Sequence, residues 1–333
     1  MKNKLSFKLL EKLSKIHSVT GDTEGMKNFI LRELDDIGVE YFVNRFGTII
    51  VGDPRNSKVM FSAHIDQVGF QITKVFEDGT CSILPIGWVF PNRFDHSAVY
   101  VKTKKGIFHG GIYHKSNLKS ENIEKFSELF LYLGFNSKEE LEKNGIVPGV
   151  FGSFKKEYWE TDSAIFSSSI DNAVSIFSLL TILKTSKNFL DNACIAFHDD
   201  EEMQNHAGNG IGYEYTVEYC CVLDYFPSNH MMSNEDVVPK IGEGPMIVYR
   251  AGSHILHPVL REKLDDLNIF KAFISSQTIP SVEPQNFQNN GTTKAFNYCI
   301  SALGYHGEVY SVQKNEIYKF IDLLPEIKKI LNS

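Results

Sequence analysis

The chain is expected to fold as an α/β protein interrupted by a small β-rich unit, and three features of the sequence lead there. Short apolar runs (Lys58–Ala63, Asn192–Phe197, Tyr219–Leu223) alternate with stretches of helical periodicity, the pattern of a mostly parallel sheet covered by helices. From Gln67 to about Asp162 the texture changes to short alternating strands divided by Gly and Asp turns. The first texture then returns at Ser163. Residues 1–66 and 163–333 are therefore assigned to one discontinuous domain, with 67–162 inserted into it. A length of 333 residues suits two units at a prior of about 150 residues each.

Each element has its own signal. Residues 1–16 place Lys against Leu and Phe at helical spacing. Asp22 is positioned to cap a second helix that buries Met26, Phe29, Ile30, Leu34 and Ile37 and stops at Gly38. Strands follow at Val39–Val43, Thr48–Val51 and Lys58–Ala63. In the insertion, Gly69–Val75, Cys81–Leu84, Ala98–Thr103 and Gly106–Tyr113 read as strands. Ser120–Leu133 and Ser137–Asn144 read as helices, the latter with a Ser137/Glu140 capping box. Beyond it come a strand at Ser163–Ile170, a helix at Ala173–Lys184 and strands at Asn192–Phe197 and Tyr219–Leu223. Further strands are expected at Ile247–Arg250, Lys271–Ser275 and Cys299–Leu303, then a closing helix, Asn315–Leu331, bent at Pro325.

Composition excludes several classes. Apolar residues make up 42% and charged residues 23%, ordinary for a globular protein. A net charge of −7 leaves no basic surplus to displace counterions, so nucleic acid is not an expected partner. The five cysteines lie mostly in apolar runs and form no Cys-x-x-Cys, which points to reduced, buried thiols. Met1–Ile16 lacks the apolar core of a signal peptide, and Ala173–Leu183 is too short to span a bilayer. A soluble cytoplasmic protein with no membrane partner is expected.

The chemistry centres on Phe197–Met203, where Asp199, Asp200, Glu201 and Glu202 follow the end of a buried run. No Lys or Arg lies between Asn188 and Lys240 to neutralise them. Such a run is either a solvated loop face or a metal-binding edge. His64-Ile65-Asp66, also at a strand end, is an independent signal. A ligating imidazole usually hands its other N–H to a carboxylate, and Asp66 lies two positions on along the strand. Asp171, Asp224 and His306 likewise follow apolar runs, so five candidate ligands, His64, Asp171, Glu202, Asp224 and His306, share the carboxyl edge of the sheet. Two imidazoles with three carboxylates suit zinc or cobalt and exceed the needs of one tetrahedral ion. Two divalent metal ions sharing one carboxylate is the economical arrangement, which frees Glu201 to act as general base. Asp200-Glu201 is the alternative register for base and ligand.

At these motifs the chain resembles the dinuclear metallo-aminopeptidases of the glutamyl and deblocking type, which assemble into tetrahedral particles. The resemblance rests on Ser62–Phe70, Pro85-Ile86-Gly87-Trp88, Gly106–His114, Asp171-Asn172, Glu201-Glu202, Leu223-Asp224, Gly242–Pro245 and Gly291-Thr292 before His306. It implies a three-layer α/β/α catalytic domain with an inserted PDZ-like or β-barrel domain. It also implies short peptide substrates and a homo-oligomer built from dimers, up to a dodecamer. In the site it implies that Asp171 bridges the two metals, His64 and Asp224 complete one site, and Glu202 and His306 the other. Asp66 would orient His64, and Glu201 would be the base.

The chain departs from the family pattern at Ala173, at Met203–Ala207, at Thr293 and at Leu303-Gly304, where arginines, a glycine-rich stretch or an aspartate are usual. None is a ligand in this assignment, but substrate preference does not carry over. Two other readings stay open: a deacylase acting on N-acyl amino acids with the same metals, and a non-catalytic protein that kept the fold. The remaining histidines are expected to be structural, with His198 and His206 the nearest to exceptions.

Overall fold

The computed structural model describes residues 5–115, 123–203, 206–275, 277, 279, 282–289 and 293–333. Its frame is a nine-stranded mixed sheet. In spatial order it runs β1 (Tyr41–Val43), β2 (Ile49–Val51), β12 (Ala193–His198), β3 (Val59–His64), β13 (Tyr219–Pro227), β17 (Lys294–Ala302), β14 (Met246–Ala251) and β15 (His254–Ile255), with β16 (Phe270–Ile274) also on β14. The middle of the sheet, β12-β3-β13-β17, is parallel, so four carboxyl ends open on one edge.

Alternation along these strands separates two cores. Phe61, Ala63, Ile195, Phe197 and Leu223 face α1 (Lys8–Lys15), α2 (Glu24–Ile37), α5 (Ile170–Thr185), α7 (Pro258–Leu264) and α9 (Lys314–Asn332). Met60, Cys194, Ala196, Cys220 and Val222 face α6 (His206–Glu214) and α8 (Pro284–Gln288). The result is the expected α/β/α sandwich. All five cysteines are buried and unpaired. Among the described residues no helix is long and apolar enough to cross a membrane.

The insertion forms a closed barrel of β4 (Gly69–Val75), β5 (Thr80–Ile86), β8 (Leu129–Tyr132), β7 (Gly106–His114), β6 (Ala98–Thr103) and β9 (Phe151–Phe154). Its own core includes Phe70, Ile83, Val99, Leu131 and Phe154, and α3 (Pro91–Phe94) and α4 (Lys138–Lys143) add Phe94 and Leu141 to it. A small antiparallel sheet, β10 (Tyr158–Glu160), β11 (Ala164–Ser167) and β18 (Tyr310–Gln313), stands beside the main one.

Several expectations are corrected. Ser120–Leu133 is not a helix. Ser120 lies outside the described residues, Phe126–Glu128 is a single 3₁₀ turn, and β8 alternates buried Leu129 and Leu131 with Phe130 and Tyr132. Pairing with β5 and β7 overrides the helical spacing of that stretch. The strand at Ser163–Ile170 shrinks to β11 and belongs to the small sheet, so it does not continue the main one. Asp22 does not cap α2; Thr23 occupies that position, and Asp22 instead lies 2.9 Å from Lys102 Nζ and 3.0 Å from His17 Nε2.

Candidate metal centre

Sheet register brings the first residues together. Val222 is paired with Ser62, so two residues further on Asp224 lies beside His64, while His198 is paired with His64 on the other side. Asp224 therefore lies within β13, which runs on to Pro227, and not beyond its end as expected from the sequence. His64 does sit at a strand end, whereas Glu202 and His306 lie on the loops that follow β12 and β17. Asp171 enters differently, from the first turn of α5, where Asp171 and Asn172 depart from helical geometry.

The five meet around Asp171. His64 Nε2 is 3.2 Å from Asp171 Oδ1 and 3.5 Å from Asp224 Oδ1. His306 Nε2 is 3.5 Å from Asp171 Oδ2 and 3.4 Å from Glu202 Oε2. Ligand-type atoms of His64, Asp171 and Asp224 all lie within 4.8 Å of one another, and so do those of Asp171, Glu202 and His306. A third group joins His64 to Glu201 and Glu202.

The surroundings orient these side chains. His306 Nδ1 is 2.8 Å from the Trp88 carbonyl, on the segment just after barrel strand β5, so the insertion supports one of the two triads. His64 Nδ1 is 3.1 Å from the Asp66 carbonyl oxygen and 3.5 Å from its carboxylate. That carboxylate mainly holds other groups: it accepts the Glu201 and Glu202 amides, each at 3.2 Å, and the Thr20 hydroxyl at 2.7 Å. Asp66 thus fixes the backbone that carries both glutamates. Burial would raise its pKa, but the His64 imidazole and the Thr20 hydroxyl hold it below the ordinary range.

Charge is the outstanding feature. Burial opposes ionisation of every acid here. It lifts Glu202 to about 8 and Asp224 to about 6, against the pull of His306 and His64 respectively. Glu201 is driven well above its ordinary value by burial, reinforced by Glu202 and Asp224. Burial would raise Asp171 too, yet His306 and His64 hold it at about 2. Conversely, although burial disfavours the imidazolium, the flanking acids raise His306 to about 9 and His64 well above normal. So dense a carboxylate set, with Asp171 Oδ1 buried and lacking a well-aligned hydrogen bond, calls for more positive charge than two imidazoles carry. Divalent cations fit this donor set.

The acidic run divides by role. Asp199 needs no metal, because Lys27 Nζ of α2 stands 2.7 Å away and the Thr23 hydroxyl 2.9 Å away. The positive charge missing from the local sequence is, for this acid, a lysine 172 residues earlier in the chain. Asp200 takes a left-handed turn (φ 68°) that sets up the two glutamates. His198 is buried and pairs with a residue the sequence analysis did not single out: its Nε2 lies 2.6 Å from Glu283 Oε1, with both side chains fully enclosed. No local pattern around Glu283 signals this, since its partner is 85 positions away. Ala173 is buried in the α5 core, Gly291 and Thr292 lie outside the described residues, and nothing is described of the His206 side chain.

The five candidate ligands, with Glu201 and Glu283, line a cavity of about 390 Å³. Trp88, Tyr225 and Tyr305 form its aromatic side, and Phe226, Pro227, Ile279 and Val282 its apolar wall.

A mixed α/β sandwich with an inserted barrel carries clustered imidazoles and carboxylates at its parallel edge, a donor set able to hold metal ions. Residues 47–277, well over half of the chain, match the family described as M42 glutamyl aminopeptidase, and the chain belongs to that family. It is 22% identical over 295 residues to the lysyl aminopeptidase of Pyrococcus furiosus, covering 86% of this chain and 84% of that protein. Its fold matches the TET aminopeptidase of the marine sediment archaeon Thaumarchaeota archaeon SCGC AB-539-E09 with a TM-score of 0.87, at 17% identity over 98% of both chains. It also matches the Pyrococcus horikoshii TET1 peptidase, described as assembling into a tetrahedron or a large octahedral shell. There the TM-score is 0.82 at 23% identity, over 96% of this chain and 98% of that one.

Proposed function

We propose that the chain is a metal-dependent aminopeptidase that removes the N-terminal residue from short peptides. The observation that carries this reading is the pair of histidine–carboxylate triads sharing Asp171. His64 and Asp224 would hold one divalent ion, Glu202 and His306 the other, and Asp171 both; zinc and cobalt suit the donors. Cations held there supply Lewis acidity, acidifying water and polarising a carbonyl oxygen.

The chain's own residues do the rest. Glu201 is the one acid of the Glu201-Glu202 pair not needed for the two triads, and its carboxylate is the general base. It takes a proton from the attacking water and returns it to the leaving amine, so its net protonation is unchanged over the cycle. Asp66 holds the Glu201 amide and thereby the base's position. Trp88, through its carbonyl, fixes the His306 ring. Residues 67–162 act as the unit that walls the site and takes part in a homo-oligomer, a reading supported by the assembly of the TET1 peptidase. The five unpaired cysteines support residence in a reducing compartment such as the cytoplasm.

The test compares metal-loaded protein on aminoacyl-anilides and on N-acyl amino acids, with Glu201→Gln alongside. Release from the anilides is expected, and Glu201→Gln should keep its metal while losing about 100- to 10,000-fold in kcat. His306→Ala and Asp171→Ala should instead lower metal content. Hydrolysis confined to the acyl compounds would make the protein a deacylase. Normal turnover by Glu201→Gln would remove Glu201 from the mechanism.

A further inference from the structure

The cavity beside the triads has a wall that the proposed chemistry does not use. It is built by the end of β13 and by the segment leading into α8, and it presents Phe226, Pro227, Ile279 and Val282. Every charged side chain lining the cavity is an acid or a histidine, with no lysine or arginine among the described lining residues. The sequence from Ser275 to Thr293 also contains no lysine or arginine.

The one acid on this wall is Glu283, and its carboxylate already has a partner. Its carboxylate is fully enclosed, 2.6 Å from His198 Nε2, and His198 is itself buried beneath the sheet edge. Glu283 is therefore not free to receive a cationic ligand without giving up His198. An acidic side chain lodged against this wall would be stripped of water and meet no lysine or arginine among the described lining residues. A lysine or arginine side chain would lose hydration against an apolar wall. An aliphatic or aromatic side chain would simply bury its surface there.

We infer that this wall is the pocket for the N-terminal side chain. It selects uncharged apolar residues such as leucine, methionine and phenylalanine, ranks lysine and arginine below them, and disfavours glutamate and aspartate, whose carboxylates find no lysine or arginine on that wall. The assignment rests on the aminopeptidase reading, and it differs from the specificity in the family's description.

The test uses full-length, metal-loaded protein. Leucyl-, phenylalanyl-, lysyl- and glutamyl-p-nitroanilide are compared by kcat/KM, and binding of free L-leucine and L-glutamate is measured by calorimetry. Leucyl or phenylalanyl substrate should exceed glutamyl by about 100-fold or more, the scale set by leaving a buried charge unpaired. Asn286→Arg places a cation on the half-buried lining helix. It should narrow the leucyl-to-glutamyl ratio by about 10-fold, as one new ion pair in a desolvated site would. Glutamyl substrate turned over as well as leucyl, or L-glutamate bound as tightly as L-leucine, would overturn the pocket assignment. If no anilide is cleaved while L-leucine still binds at least about 10-fold tighter than L-glutamate, the aminopeptidase reading falls and the pocket stands.

Discussion

At the scale of single residues, Asp66 and Gly87 carry the sharpest consequences. Asp66 accepts three hydrogen bonds through two oxygens, from Thr20, Glu201 and Glu202. An asparagine there has only one carbonyl oxygen, so at least one of these donors would face an amide N–H. Asp66→Asn should therefore lower metal affinity or activity by about 10- to 100-fold, the usual effect of losing an outer support. Competition with a chromophoric chelator reads the affinity directly, and unchanged metal affinity together with unchanged kcat would argue against the support role. Gly87 adopts φ 84°, and a Cβ there would lie 2.7 Å from Val68 Cγ1 and 3.4 Å from Glu202 Oε2. Gly87→Ala should lower Tm and weaken metal binding, because about 1–2 kcal/mol of left-handed strain is added to the crowding. The candidate ligands themselves were legible because each ends or follows an apolar run. Glu283 and Thr20 were not, because their roles exist only through partners far away in sequence.

At the scale of elements, the acidic run shows where local reasoning stops. Counting nearby lysines left all four acids unbalanced, yet α2 swings Lys27 onto Asp199. Both side chains are mostly enclosed, at 19% and 17% exposure, so the pair is not a free surface contact. Lys27→Met should destabilise the fold by about 1–3 kcal/mol through the stranded carboxylate, visible as a lower urea midpoint. A midpoint unchanged from wild type would mean the loop re-solvates Asp199 at no cost. The same limit explains the helix expected at Ser120–Leu133. Ile123, Phe126, Leu129 and Phe130 do repeat at helical intervals, but Leu129 and Leu131 are drawn to one side by neighbouring barrel strands. Most strands of the main sheet were legible as apolar runs, but β15 was not expected and β17 begins at Lys294, ahead of the expected start at Cys299. β9, a short Phe-Gly-Ser-Phe stretch, and β10, short and largely exposed, carry no such signal.

At the scale of the whole molecule, the insertion and the sandwich are joined by a half-buried lysine. Lys156, just past the last barrel strand, donates from Nζ to Gln67 Oε1 at 2.5 Å and to Ser169 Oγ at 2.7 Å. Gln67 follows Asp66 and Ser169 precedes the turn that carries Asp171, so one ammonium ties together both loops that build the centre. Among the described residues no carboxylate pairs with it, and burial pushes its pKa down to about 7 from 10.5. The folded chain therefore gives up this proton near neutrality, while the unfolded chain keeps it until well into the alkaline range. Between those two values the unfolded state binds more protons, so stability attributable to Lys156 rises as pH increases through the window and is lost as pH falls back toward 7. In Lys156→Met the two lost hydrogen bonds shift stability by an amount independent of pH, whereas this rise disappears. The difference between wild type and variant in urea-unfolding free energy, measured with chelator present from pH 7 to 10.5, should thus grow in favour of wild type. Parallel curves across that window would mean the ammonium stays charged in the fold, its burial offset by the Gln67 and Ser169 oxygens.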